Sequence, residues 1–242
     1  MARLINRSIH SLKIPNTQHL AGNSDQYSVA NSACNVNLPL KNKTILFLGS
    51  SITFGSGSLG ESFVDYLNKE DQLNVIKDAI TNTDLAGKQN KYGDSYVTRL
   101  KRIPITPVDG IIIQLSTNDG RHGIKLGKIS NSKNLSELDY QTTLGAIEYI
   151  CAYVKKYWKN CPLAFYTCLR EANDYDILVK KLKELQLKWH FSILDLRSDF
   201  NVKNKIKKDP ETRVDDAHPT RKGYKLIWTP FFRRELVRWL KL

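Results

Sequence analysis

Thr44-Ile45-Leu46-Phe47-Leu48-Gly49-Ser50-Ser51-Ile52-Thr53 is the stretch on which the reading of this chain turns. Ile45 to Leu48 is a continuous apolar run, too short for a helix and without the alternation of a half-exposed strand. A strand covered on both faces reads this way. Gly49 ends the run, and a turn rich in hydroxyl side chains follows it. The same arrangement recurs where Ser116-Thr117-Asn118-Asp119 follows Ile111-Ile112-Ile113-Gln114-Leu115. A third polar cluster, Asp215-Asp216-Ala217-His218-Pro219, lies just before a helical pattern that runs to the last residue.

Outward from these clusters the chain alternates strand and helix. Strands are expected over residues 44–48, 74–80, 110–115, 163–169 and 192–196. Helices are expected over 62–68, 96–102, 175–187 and 221–242, the last bent near Pro230 because proline breaks the helical bond pattern. Ser136-x-x-Asp139 resembles a capping box, and Leu144, Ile147, Ile150, Cys151, Val154 and Trp158 after it mark one helical stripe. Alternating β and α segments predict an α/β fold with a parallel sheet and helices on both faces. Such sheets carry their sites at the carboxyl ends of strands, where the polar clusters at 49–53, 81–85 and 116–119 fall. The 117–138 connection is long for a βα loop, and long loops in compact domains are often functional.

Composition bounds the rest. The 242 residues, 41% hydrophobic and 25% charged, suit one α/β domain with a full-sized core. That domain is expected over residues 41–242. Residues 1–40, polar and without strong periodicity, read as an irregular N-terminal arm. No apolar stretch reaches the ~18 residues of a membrane helix, so no membrane insertion is expected. The first residues lack the apolar segment of a signal peptide, which leads to the expectation of a cytoplasmic protein. Cys34, Cys151, Cys161 and Cys168 form no C-x-x-C pair, and no His pair has zinc-finger spacing. Free, buried thiols are expected, with no metal site. The net charge of +13 could attract an anionic polymer, but the Lys and Arg clusters are dispersed at helical spacing. They read as solvated helix faces, and no nucleic-acid motif accompanies them, so no nucleic-acid partner is expected.

The three clusters hold the parts of nucleophilic catalysis. Ser51, on a strand-to-helix turn, is a candidate nucleophile; its hydroxyl needs a base to take the proton. The turn would also aim backbone N–H groups at a developing oxyanion. His218, one of five histidines, is the candidate base. Asp215, three residues earlier on the same loop, can reach the imidazole Nδ1, and Asp216 is the alternative partner. Asn118 could donate a side-chain N–H to a tetrahedral oxyanion.

Taken together, Gly49-Ser50-Ser51-Ile52-Thr53-x-Gly55, Ser116-Thr117-Asn118-Asp119 and Asp215-x-x-His218-Pro219 resemble, in order and spacing, the conserved blocks of the SGNH hydrolases, the GDSL-like esterase, lipase and acylhydrolase superfamily. The resemblance covers roughly residues 42–242. One bacterial branch is also resembled in Ser95-Tyr96-Val97-x-Arg99-Leu100, Gln114-Leu115 and Trp228-Thr229-Pro230. It implies a flavodoxin-like three-layer α/β/α sandwich around a five-stranded parallel sheet. It implies Ser51 as nucleophile, His218 as base and Asp215 as its orienting acid. The oxyanion hole would consist of the Ser51 N–H, the Asn118 side chain and a backbone N–H of the second block, and no cofactor would be needed.

Two positions depart from the family pattern. Ser50 stands where the first block usually has Asp. Asn82, in Ala79-Ile80-Thr81-Asn82-Thr83-Asp84, stands where the second block has Gly. Asn still supplies a backbone N–H and tolerates positive φ better than other non-glycine residues, while its side chain would enter or border the acyl pocket. The expected activity is hydrolysis of a short-acyl, for instance acetyl, carboxylic ester of a small molecule or carbohydrate through an acyl-enzyme on Ser51. Two alternatives stay open: a catalytically impaired ligand-binding member of the fold, and a basic protein that binds an anionic polymer.

Overall fold

The computed structural model describes residues 14–242. Residues 1–13 of the expected arm lie outside the described residues. The strands are β1 (Thr44–Gly49), β2 (Asn74–Ala79), β3 (Gln89–Asn90), β4 (Gly93–Asp94), β5 (Gly110–Gln114), β6 (Leu163–Tyr166) and β7 (Ser192–Leu194). β3 and β4 form a small antiparallel pair. The other five make one parallel sheet in the order β2-β1-β5-β6-β7. Counting the strands of this sheet alone, that is the 2-1-3-4-5 order of a flavodoxin-like doubly wound fold. Its switch point, where neighbouring connections diverge to opposite sides, lies between β1 and β5.

Burial explains the central position of those two strands. Ile45 to Gly49 and all of β5 are buried, as the unbroken apolar runs require. β2, at one edge, carries Lys77 and Asp78 and is only partly buried. Charged residues on an edge strand discourage pairing with another chain.

The helices are α1 (Ser51–Phe54), α2 (Phe63–Asp71), α3 (Tyr96–Arg102), α4 (Thr143–Tyr157), α5 (Asn173–Trp189), α6 (Phe200–Lys208), α7 (Arg221–Gly223) and α8 (Thr229–Leu240). α2 packs against α8, whereas α3, α4 and α5 pack in succession, giving the helical layers of an α/β/α sandwich. The α2–α8 side is held by aromatic rings: Phe63 stacks on Phe232 at 3.9 Å, and Tyr166 meets both edge-on at 5.5 and 5.2 Å. Edge-to-face and offset pairs are the favoured ring geometries.

Several expected boundaries move. α4 starts at Thr143, capped by Thr142 through Gly145 N–H, while Ser136 sits in an isolated 3-10 turn; the capping-box reading of Ser136-x-x-Asp139 is therefore incorrect. The fourth sheet strand stops at Tyr166 because its partner β7 ends at Leu194. Asp195 then caps a 3-10 turn that diverts the chain. The C-terminal segment is not one regular helix. Residues Tyr224–Trp228 form a π turn, with Thr229 N–H bonded to Tyr224 O, directly ahead of Pro230. The wider turn absorbs the proline, which lacks an N–H and crowds the preceding turn. The sequence pattern does not predict α6, because its lysines mask a two-residue apolar stripe, Val202 and Ile206. All four thiols are free; Cys151 and Cys168 are buried, Cys161 is half-buried, and Cys34 is exposed rather than buried.

Residues 14–40 run over the domain as short 3-10 turns, Thr17–His19, Ala21–Asn23 and Asp25–Tyr27. Asn23 is buried. Its amide donates to Thr17 O and Gly57 O, both at 2.8 Å, and its carbonyl oxygen accepts Arg221 N–H at 2.8 Å.

Candidate active site

Ser51 is the first residue of α1 and is buried. The turn that presents it depends on Gly49, where a Cβ would fall 1.8 Å from Thr53 Oγ1 and 2.7 Å from Gln114 Oε1. No other residue fits so close an approach. Gln114, fully buried at the end of β5, binds the turn from the neighbouring strand. Its Oε1 accepts Ser50 N–H at 2.9 Å, Thr53 N–H at 3.2 Å and the Thr53 hydroxyl at 2.8 Å, and its Nε2 donates to Ser50 Oγ at 3.1 Å. Arg99 braces the same edge. Its guanidinium donates to Gly49 O at 2.7 Å, Asp78 O at 3.0 Å and Thr83 Oγ1 at 3.2 Å, and pairs with the Asp78 carboxylate.

His218 reaches Ser51 from a loop closed by the Arg213–Pro219 bridge and by a 2.8 Å bond from Val214 N–H to His218 O. Asp215 Oδ1 accepts the N–H groups of Ala217 at 2.8 Å and His218 at 2.7 Å, a turn-forming role typical of aspartate. The same carboxylate meets His218 Nδ1 at 2.9 and 3.0 Å, and His218 Nε2 lies 2.9 Å from Ser51 Oγ. Asp216 has no such contact to the ring among the described residues, so of the two candidate partners the structure brings Asp215 to His218. Partial burial pushes the Asp215 carboxyl up, but the His218 hydrogen bond and charge and the two backbone N–H groups outweigh it. The net pKa falls to about 2. Ionised Asp215 can only accept, which assigns the ring proton to Nδ1 and leaves Nε2 free to take the Ser51 proton.

The donors around Ser51 come from three strand ends. Among the described residues, the N–H groups of Ser51 and Asn82 have no acceptor in the protein. Asn82 adopts the left-handed conformation, φ 61°. Its carbonyl accepts Asn90 Nδ2 at 2.8 Å, and its side-chain oxygen turns toward Arg121 Nη2 at 3.4 Å. Asn118 is buried; its amide donates to Thr83 O at 2.9 Å and makes a longer contact to Ser50 Oγ at 3.3 Å.

Other residues of this site were not singled out from the sequence. Asp119, read only as part of a turn, is buried and accepts Leu85 N–H at 2.8 Å, Ala86 N–H at 3.2 Å and the Thr143 hydroxyl at 3.2 Å. It pins the loop that carries Asn82. Burial pushes its carboxyl pKa up, against hydrogen bonds from Ser116 and from the N–H groups of Leu85 and Ala86. Asp84 bonds His122 Nδ1 at 2.6 Å and Asn90 Nδ2 at 2.7 Å, tying the loop a second time. Gln114 and Arg99 lie in motifs the sequence shares with the SGNH pattern, yet no local signal marks them as buried connectors. Asn23 lay in the arm, where only the tertiary contacts give it a role. Among the described residues no three His, Cys, Asp or Glu side chains converge in a way that could hold a metal ion.

No protein-family model and no curated protein matches the chain. Solved structures do. A protein from Lactobacillus plantarum superposes with a TM-score of 0.65 at 18% identity, covering 82% of this chain and 98% of its own. A member of the lipolytic protein G-D-S-L family from Veillonella parvula gives 0.56 at 16% identity, over 81% and 99%. The acetyl xylan esterase AlAXEase gives 0.56 at 16% identity, over 80% and 99%. At these identities the likeness is one of fold. The sheet order and these superpositions together show that the chain has the SGNH, or GDSL-like, hydrolase fold.

Proposed function

We propose that this protein hydrolyses carboxylic esters of short acyl groups through an acyl-enzyme on Ser51. The observation that carries the reading is the continuous relay Asp215–His218–Ser51, with contacts of 2.9 Å at both joints. His218 Nε2 takes the Ser51 proton as Oγ attacks the ester carbonyl, and Asp215 stabilises the imidazolium that forms. The tetrahedral oxyanion receives the N–H groups of Ser51 and Asn82 and one N–H of Asn118. The Asn118 donor comes from its long 3.3 Å contact to Ser50, the weaker of its two bonds. His218 then protonates the leaving alcohol, the C–O bond breaks, and a water deprotonated by His218 releases the acid. One oxyanion donor of this kind is worth ~2.7–4 kcal/mol of transition-state stabilisation.

The superposition with an acetyl xylan esterase and a lipolytic G-D-S-L protein supports ester hydrolysis as the reaction class. The test is turnover of p-nitrophenyl acetate together with labelling of Ser51 by a fluorophosphonate. Wild type is expected to do both and Ser51→Ala neither. Equal turnover by the two proteins overturns the proposal.

A further inference from the structure

A cleft of about 390 Å³ opens beside His218 and Asp215. Its apolar floor is Leu169, Ile206 and Trp228. Leu169 follows β6, and Arg197, also on its wall, follows β7. The cleft therefore stands at the same carboxyl edge of the sheet as Ser51, displaced toward β6 and β7. Asn82, which follows β2, lies on the opposite side of Ser51.

This placement has a chemical consequence if Ser51 is the nucleophile. The oxyanion must lie with the N–H donors of Ser51, Asn82 and Asn118. The leaving oxygen must lie within reach of His218 Nε2, which protonates it as its bond to the acyl carbon breaks. The alcohol half of the ester therefore leaves on the imidazole side, where the cleft is. The volume is within the ~300–1,000 Å³ of small-molecule sites, more than a simple alkyl alcohol needs.

The walls say which alcohol. Lys203 and Lys207 lie one turn apart on α6, flanking buried Ile206. The Arg213 backbone is fixed relative to His218 by the bridge to Pro219, and its side chain is exposed. Arg197 is committed to Asp176 at 2.6 Å. Lys203, Lys207 and Arg213 have no ion-pair partner among the described residues. Glu171 and Asp216 also reach the cleft and are likewise unpaired there; as acceptors they suit hydroxyl groups. We infer that this cleft is the leaving-group site and that it takes a hydroxylated alcohol bearing an anionic group, a carboxylate or a phosphate, held by Lys203, Lys207 and Arg213. The inference rests on the esterase reading and adds the substrate class.

Three acetyl esters with the same ring test it: 4-acetoxybenzoate, 4-acetoxyphenyl phosphate and the neutral 4-acetoxybenzamide. The expected result is a kcat/KM for one or both anionic esters roughly tenfold above that of the amide at low salt, shrinking as salt rises. The arm with the larger ratio identifies the anion. K203Q/K207Q/R213Q is expected to bring the ratio toward one, mainly through KM, and the exposed single variants K203Q and K207Q to lower it in steps. Lys180→Gln on α5, remote in sequence and outside the cleft, should leave the ratio as in wild type. A ratio near one in wild type, or a ratio unmoved in the triple variant, overturns the cleft assignment while turnover of the amide leaves the esterase reading standing. Absence of turnover on all three esters and on p-nitrophenyl acetate overturns both.

Discussion

The side-chain oxygen of Asn23 accepts the backbone N–H of Arg221 at 2.8 Å, while its amide donates to Gly57 O. One buried side chain from the N-terminal segment thus joins the segment after the Ser51 turn to the start of the helix that follows the His218 loop. Those two loops touch: a Cβ on Gly57 would come within 3.0 Å of His218 Cβ and 2.8 Å of Pro219 O. The 2.9 Å gap between Ser51 and His218 depends on loops whose spacing a third segment helps to hold.

Asn23→Ala should therefore lower both stability and turnover. It leaves buried Gly57 O and part-buried Arg221 N–H without a partner, at a cost of up to ~1–3 kcal/mol for each buried group so stranded. Urea unfolding and p-nitrophenyl acetate kinetics measure the two effects. A variant with wild-type midpoint and kcat would remove Asn23 from any role in the site.

Gln114→Leu should be more damaging than its burial alone suggests. The substitution keeps an apolar volume but strands the N–H groups of Ser50 and Thr53, leaving the Thr53 hydroxyl only its bond to Tyr166. A loss of ~2–5 kcal/mol in unfolding free energy is expected from buried donors left unsatisfied. At temperatures where the variant stays folded, kcat should fall more than KM rises, since the turn aims the Ser51 hydroxyl and its N–H at the reacting carbonyl, contacts that strengthen in the transition state. Unchanged denaturant midpoints would contradict the connector role.

Asp215 makes stability depend on acid. Its carboxyl titrates near 3.8 in a free chain and at about 2 in the folded protein. A lowered native pKa means that the unfolded chain binds the proton first. The contribution is fully present above the unfolded value and is lost as pH falls through the native one. The difference in melting temperature between wild type and Asp215→Asn should be constant above about pH 5 and shrink between about pH 4 and pH 2. A difference independent of pH down to that range would show that the carboxylate is not the group responsible.

Asn82→Gly tests the residue that departs from the SGNH pattern the sequence resembles. At φ 61° glycine is at no conformational disadvantage, so stability should change by less than ~1 kcal/mol. Removing the side chain that faces Arg121 should open space beside the Asn82 N–H, on the acyl side of the proposed site. In a p-nitrophenyl ester series from acetate to octanoate, Asn82→Gly should gain most on the longer chains. Parallel profiles for the two proteins would separate Asn82 from acyl selectivity.

Local sequence determined the five strands of the parallel sheet, most helices, and the candidates Ser51, Asn118, Asp215 and His218, but not the small β3–β4 pair. Apolar runs, helical stripes and polar strand-end turns are short-range patterns governed by which faces must be buried. The three-residue spacing favours Asp215 over Asp216 as the partner of His218, and the folded loop turns Asp215 onto Nδ1. Tertiary structure alone decided the connectors Asn23, Arg99, Gln114 and Asp119. Each is a polar residue whose partners lie far along the chain, between 16 and 198 positions away for the bonds that hold the site. A buried polar side chain is stable only where the fold delivers those partners, and no pattern of neighbours in sequence records that delivery.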